Sequence, residues 1–539
     1  MAKNFIDRCV EAVAPVHALR RSAARSALQF LNSGYGNYGA NLTKKSLRGW
    51  EYHGGSAKED IEDNIDVLRQ RSRDAYMGVP VATSALKTLR TNVVAGGLVP
   101  APQIDSEYLG LTIDQAEELQ EKIIREFALW ADTPDCDMDG LGNFYKLQQL
   151  AYMGYLMNGD AFAVLPVSEQ KGQPYNLRVR VIEADRVCSP DGYDRLVPCE
   201  VYGHRVHRIV QGVETNAEGL VVAYWVCNRH PLSDSSIVAA DLRWKRVETR
   251  GAMSGKRNIV HVITRERAGQ LRGVPILAPV LEALKQLGRY TEAEINAAVI
   301  SAMFTVFVQP QSPTDDRPFG EMLPDHELLD ADDPSTVELG SGAIVGLNPG
   351  ETVAFADPKH PNAGYDKFTD AMIKQIGSAL EIPPEVMVKM FSTSYSAARG
   401  ALNEFWRSCG VQRDDFVDSF CQPIYEEWLA EAVARGRITA PGFFQDPAIR
   451  KAYCGCAWPG PARTSLNPVQ EVSAATKRVE AGFSTAQEET AQMTGGNYNR
   501  NIRQRVAEAK RKREVDEITE PAKAAQDGGA GNEGGNEGA

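Results

Sequence analysis

The run Ile276-Leu-Ala-Pro-Val-Leu-Glu-Ala-Leu-Lys-Gln-Leu-Gly-Arg-Tyr-Thr-Glu-Ala-Glu-Ile-Asn-Ala-Ala-Val-Ile-Ser-Ala-Met303 predicts one long helix, rich in Ala, Leu and Glu. At about 1.5 Å per residue it would reach roughly 40 Å. Its apolar end, Ile295 to Val308, is only 14 residues long and holds Asn296 and Ser301, short of the ~20 needed to cross a bilayer. The adjoining segment has the oddest composition in the chain: Gln309 to Ser341 carries nine acids against Arg317 alone, with five prolines. That is a net −8, two thirds of the chain's −12. Next, Ala343–Leu347 and Thr352–Ala356 flank Asn348-Pro349-Gly350 and read as a hairpin. A second amphipathic helix presents Tyr365, Phe368, Met372, Ile376 and Leu380 on one face and is closed by Pro383-Pro384. A third runs from about Ser396 to Arg435, with Leu402, Phe405, Trp406, Cys409, Phe416 and Phe420 as core, a break at Pro423 and Gly436 as C-cap.

Upstream of the long helix the pattern is helical first and then β. Ile61, Ile65 and Leu68, then Val81, Ala85 and Leu89, recur at helical spacing and are split by Pro80. Thr112 caps a helix to Trp130, and another spans Phe144 to Met157. From Ala161 the period becomes two, predicting strands at Ala161–Val167, Leu177–Ile182, Val197–Tyr202, Val206–Val210, Leu220–Val226 and Ile259–Ile263. A helical block followed by mostly antiparallel strands argues α+β. Downstream, short helices are expected at Pro468–Ala481 and Ser484–Met493, the latter with Ser484 and Gln487 as a capping box. A basic helix comes next at Arg500–Arg513, and then a Gly-rich tail from Pro521 expected to be disordered. Ala12–Leu31 reads as a basic helix in an N-terminal arm.

The 539 residues are 24 % charged and 43 % apolar, ordinary globular proportions. A net charge of −12 excludes a whole-chain basic footprint for gripping nucleic acid. Nine irregularly spaced cysteines point to a reducing compartment, and Met1-Ala-Lys-Asn-Phe-Ile-Asp-Arg lacks the apolar core of a signal peptide.

Tests for catalytic chemistry fail one by one. Asp135-Cys-Asp-Met-Asp-Gly140 matches the start of an EF-hand loop, but Lys146 stands where the bidentate Glu belongs, so an acidic turn is expected. Cys454-Gly-Cys456 lacks a second thiol or imidazole pair at zinc spacing. His204 and His207 fall on opposite faces of a strand. No phosphate loop, dinucleotide fingerprint or serine elbow occurs. No catalytic centre, metal or cofactor is expected.

Three motifs, Arg69-Gln-Arg-Ser-Arg-Asp74 followed by Asn92-Val-Val-Ala-Gly-Gly97, Arg267-Ala-Gly-Gln-Leu-Arg-Gly-Val-Pro275, and Tyr395-Ser-Ala-Ala-Arg399, resemble the lambda-type portal proteins of tailed phages. Asn158-Gly-Asp160 before a strand, Cys136 beside its Asp-Gly turn and Trp428 also fit, and the shared order runs from about residue 35 to 510. Two departures stand out: Pro384 replaces an expected aromatic, and the loop before Tyr395 lacks an expected Asn. The resemblance implies a portal fold and a non-enzymatic ring of about twelve subunits. The ring would sit at one capsid vertex, in the virion, after assembly in the host cytoplasm. Its channel would pass double-stranded DNA without sequence specificity. Implied partners are the terminase large subunit, the major capsid and scaffold proteins and a head-completion protein; no membrane is implied.

It divides the chain into an arm (1–58), wing (59–263), first stem helix (264–308), clip (309–360), second stem helix (361–384), tunnel loop with kinked wing helix (385–464), crown (465–515) and disordered tail (516–539). The implied channel residues are Lys389, Phe391, Ser392, Tyr395 and Arg399. Asp315, Asp316, Arg317, Glu321, Asp325, Asp332 and Asp333 would form the terminase-docking clip, and Arg500, Arg503, Arg505, Lys510, Arg511, Lys512 and Arg513 a basic crown. The competing readings are a monomeric capsid-associated adaptor and a metal-dependent nuclease or hydrolase built on Asp135, Asp137 and Asp139.

Overall fold

A computed structural model describes residues 14–17, 20, 23–24, 39–41, 44–50, 54–169, 171–233, 242–302, 306–308, 344–346, 364–391, 394–462 and 467–527. The chain divides into Met1–Ser56 and Ala57–Ala539. In the first unit the expected basic helix is represented by helical backbone at 15–17, 20 and 23–24, and Lys45–Leu47 forms a single 3-10 turn.

The second unit opens with α1 (Ile65–Gly78) and α2 (Pro80–Val93), and Pro80 occupies the first turn of α2, where a missing N–H costs nothing. In α3 (Ile113–Ala131) the Thr112 side chain accepts from Gln115 N, while the Gln115 side chain accepts in return from Thr112 N, a complete capping box. α4 (Phe144–Asn158) ends at Gly159, whose φ of 85° lets the chain turn sharply into β1 (Asp160–Val164). β1 is the centre of a three-stranded sheet, antiparallel to β2 (Arg180–Ile182) and to the later strand at Ile259–Ile263. A four-stranded antiparallel meander follows: β3 (Arg208–Val210), β4 (Val213–Thr215), β5 (Val221–Cys227) and β6 (Trp244–Glu248), before β7 (Ile259–Ile263) closes the first sheet.

The expected strand at 206–210 is two strands. His204–Val206 pairs with Cys199–Val201, and the chain changes sheet at His207. The long helix is shorter than expected. Pro279 has no N–H to donate and holds Ala278–Val280 in a 3-10 turn, so α5 begins at Leu281 and ends at Ala302. Val306–Val308 then pairs in parallel with Ile344–Gly346, the first arm of the expected hairpin, while Thr352–Ala356 lies outside the described residues. α6 (Tyr365–Ala379) lies against α5, with Tyr290 stacked on Tyr365 at 5.5 Å and edge-on to Phe368 at 4.8 Å.

The third helix begins as α7 (Tyr395–Phe416) and widens into a π turn at Val417–Cys421 before α8 (Gln422–Ala434). Pro423 explains the widening, since its ring would clash with the carbonyl four residues back in a regular α-helix. Gly436 comes after it with φ 71°, and Arg437 N bonds back to Ala432 O, the expected C-cap. The core gathers α2, α3, α4 and α8 around Trp428, which meets Phe127 edge-on at 4.9 Å. At the C-terminal end, α9 (Pro468–Glu480) and α10 (Ala486–Thr494) lead into α11 (Tyr498–Asp527). The cap of α10 is Thr485, accepting from Glu488 N, instead of Ser484, whose hydroxyl bonds the Glu488 carboxylate. The tail expected to be disordered from Pro521 is helical through Asp527, carried by the helix formers Ala522, Lys523, Ala524, Ala525 and Gln526. Among the described residues no helix is long and apolar enough to cross a membrane.

Candidate functional site

Three of the sequence motifs meet at one buried point beneath α5. Asp160, the first residue of β1, is fully buried. Arg69 from α1 donates Nη2 to its Oδ1 at 3.0 Å and Oδ2 at 3.2 Å, and Nε to Asn158 O at 3.1 Å. Arg272, also fully buried, donates Nε to Asp160 Oδ2 at 2.6 Å and Nη2 to Oδ1 at 3.3 Å. The rest of its guanidinium is satisfied by the carbonyls of Val187 (2.7 Å) and Ala184 (2.9 Å), and its face lies 5.2 Å from the Phe162 ring. Gly273 N completes the set with a bond to Asp160 Oδ2 at 3.2 Å. Burial alone raises a carboxyl's pKa, but Arg272 and Arg69 outweigh it and hold Asp160 well below the usual carboxylate range. Glu62 extends the cluster, accepting from Leu271 N at 2.7 Å.

At the same place two backbones touch. A Cβ on Gly273 would lie 1.8 Å from Gly159 O, so the Gly159 and Gly273 turns pack with nothing between them. Two residues later Pro275 leads into the 3-10 turn that starts α5, and Ile276 N bonds Leu156 O at 3.2 Å. The cluster therefore roots the long helix on α1, α4 and β1.

His261 on β7 faces the cluster. Its ring stacks on Phe162 at 4.2 Å, with Tyr224 Oη 3.3 Å from Nδ1 and Asp160 Oδ2 3.6 Å from Nε2, and with Arg69 and Arg272 nearby. Burial lowers its pKa below the ordinary 6.5, against the pull of Asp160. The folded protein thus takes up a proton at His261 less readily than the unfolded chain does as the pH falls through about 6.5. The stability this group contributes is present above that pH and is lost as the pH falls. His261→Phe is expected to flatten the drop in thermal midpoint between pH 7.5 and 5.5; identical slopes for both proteins would refute this.

The expected channel residues lie at the junction of α6 and α7. Ser84 Oγ bonds Met387 O at 2.7 Å, anchoring the short helix Pro384–Val388 to α2. Beyond it the chain turns through Lys389, a non-glycine residue in the left-handed region at φ 57°. Lys389, Met390, Phe391 and Tyr395 are all exposed, Met390 by 68 % and Phe391 by 58 %. Ser392 lies outside the described residues. Arg399, one turn after Tyr395 on α7 and exposed like it, lines a cleft of about 410 Å³ against α9 and α10, with Asn403, Trp406, Glu471 and Met493.

The acidic turn is used by the protein itself. Asp137 accepts from Asp139 N, Leu141 N and Gly142 N, each at 3.0 Å, while Asp135 takes a bond from Gln173 and Asp139 pairs with Arg180. Cys454 packs in the core, where burial pushes its thiol up to about 12. All seven basic crown residues are exposed on α11, and Arg503 pairs with Glu121 of α3. The clip residues 315–333 lie outside the described residues. The structure also shows a tie not foreseen in the sequence: Arg413 of α7 caps the end of α2 through Asn92 O and Val93 O, both at 3.0 Å.

A family model for phage portal proteins of the lambda family matches residues 43–413. Portal protein B of Escherichia phage lambda is 22 % identical over 484 residues, covering 87 % of this chain and 88 % of that protein. The portal protein of Escherichia phage N15 is 22 % identical over 501 residues, covering 89 % and 90 %. Among solved structures, the neck of a native gene transfer agent particle computed with C12 symmetry covers 79 % of this chain and 92 % of its own, at 13 % identity and a TM-score of 0.38. The chain belongs to the lambda family of phage portal proteins. It is a structural component of the particle, not an enzyme.

Proposed function

We propose that the chain assembles into a ring at one capsid vertex, whose channel conducts double-stranded DNA during packaging and ejection and which docks the terminase and then a head-completion protein. In this reading α1 to β7 form the wing, α5 and α6 the stem, residues 309–360 the clip, Lys389 to Tyr395 the channel loop, α7 and α8 the kinked wing helix, and α9 to α11 the crown. The observation that supports it most is the outer part of α5. None of residues 288–299 is buried, although Ile295 is 58 % and Val299 48 % exposed beside Ala293, Ala297 and Ala298. A closed ring built from head-to-tail contacts would cover such a face with the next copy.

DNA must slide, so a channel surface is better poor in cations, since every phosphate neutralised by Lys or Arg strengthens the grip through counterion release. Lys389 is then a sparse contact that touches phosphate without arresting it. The acidic clip suits a basic partner surface, and the exposed arginines and lysines of α11 suit packaged DNA or an acidic scaffold.

The test joins native mass spectrometry of the purified protein to negative-stain imaging. Open rings of about twelve 59.0 kDa subunits are expected; a monomer that stays monomeric with scaffold and capsid protein present would favour the adaptor reading. Lys389→Ala leaves another non-glycine residue at the positive φ and removes the ammonium together with its alkyl stem. It is expected to keep the ring and lower DNA retention, and loss of rings would remove Lys389 from the DNA path.

A further inference from the structure

Met390 and Phe391 have no use against phosphate, yet they project from the loop with more than half of each side chain exposed. Some residues further on, the cleft between α7 and the crown offers what they lack: the half-buried Trp406 ring, the Met493 thioether and the exposed Ala474. The same cleft holds Glu471, half-buried on the first turn of α9 and opposite in charge to Lys389, with the exposed Arg399 as the cation on the cleft's α7 side. The cleft's other carboxylate, Glu489, is already spent on Arg478 in a two-bond pair at 2.7 and 2.6 Å. A cyclic ring needs a projecting patch and a receiving patch on the same chain, because each subunit presents one to the left and the other to the right.

We propose that the Lys389–Phe391 knob of one subunit seats in the α7–α9–α10 cleft of the next copy, Met390 and Phe391 against Trp406 and Met493, and Lys389 beside Glu471. The inference rests on the ring reading and deepens it. Repeated around the ring, the contact ties each channel loop to a neighbouring crown. It also sets how firmly Lys389 holds DNA. A lysine balanced by a carboxylate can touch a passing phosphate, whereas a full circle of unbalanced lysines would clamp it.

Two measurements test it on the full chain, after native mass spectrometry has shown rings for each variant. Met390→Cys combined with Ala474→Cys, oxidised in the assembled ring, is expected to give a reducible ladder of dimers, trimers and higher species on denaturing gels that neither single variant gives. Glu471→Gln is expected to raise DNA retention and steepen its salt dependence, the opposite direction to Lys389→Ala. Intact rings with no ladder would overturn the docking, and retention unchanged in Glu471→Gln would overturn the charge pairing. A failure to form rings in the unmodified protein would instead strike at the portal ring itself, so the two failures are told apart.

Discussion

Asp160→Ala is expected to cost about 3–5 kcal/mol, the usual penalty for stripping the partner from a buried charge pair. Here one carboxylate serves two guanidiniums, Arg69 at 1 % and Arg272 at 0 % exposure, and neither can reach water when it is gone. Gly273 N loses its acceptor as well. The loss should appear as a lower midpoint in urea and as reduced soluble yield. Because the cluster holds the start of α5, ring formation should fail at temperatures where the rest of the chain is still folded. Asp160→Asn separates the components: it keeps the shape and some hydrogen bonds but leaves two positive charges unbalanced, so it should lie close to the alanine variant. An Asn variant as stable as the parent would mean that packing, not charge, holds this junction.

Gly273→Ala is expected to be nearly as damaging, for a different reason. The added methyl would lie 1.8 Å from Gly159 O and 2.4 Å from Gly159 C. Both obstacles are backbone, which cannot swing aside as a side chain does, so the cost belongs at the upper end of overpacking, about 3 kcal/mol. The control is Gly288→Ala within α5, where a Cβ would meet nothing within 4 Å and the better helix former should be neutral or stabilising by up to about 1 kcal/mol. If both variants melted alike, the close approach of the 159 and 273 turns would not be a constraint on the fold.

How much of the fold was legible in the sequence depends on the range over which each signal acts. Pro80, Thr112 and Gly436 act within one turn of chain, and the helices they bound lie where expected. Strands Val213–Thr215 and Trp244–Glu248 are not legible because a charged residue, Glu214 or Arg246, occupies the centre of each. Glu214 is 3 % exposed and bonds both Trp225 Nε1 at 3.0 Å and Arg246 at 2.8 and 2.9 Å. A buried carboxylate paired across a sheet has the same spelling as a surface residue. The motifs around Arg69, Asp160 and Arg272 could each be read as family-like, but nothing local announces that they share one carboxylate across 91 and 112 positions. Arg399 illustrates the same limit. Its place after the loop marks it as a channel candidate, and nothing local announces that it also lines a cleft with Trp406 and with residues of α9 and α10 far along the chain.

The order in which the junction's parts leave the ribosome has a consequence for assembly. Asp160 can meet Arg69 as soon as its own strand is made, but its second guanidinium arrives only with Arg272, when half the chain has been synthesised. Gly273, whose N–H bonds the same carboxylate, follows at once, so the junction's own partners are all synthesised before α6, α7 and the crown. Every surface used toward a neighbouring copy in the proposed contacts is translated after Arg272, so the parts that root α5 precede all the parts that would join subunits.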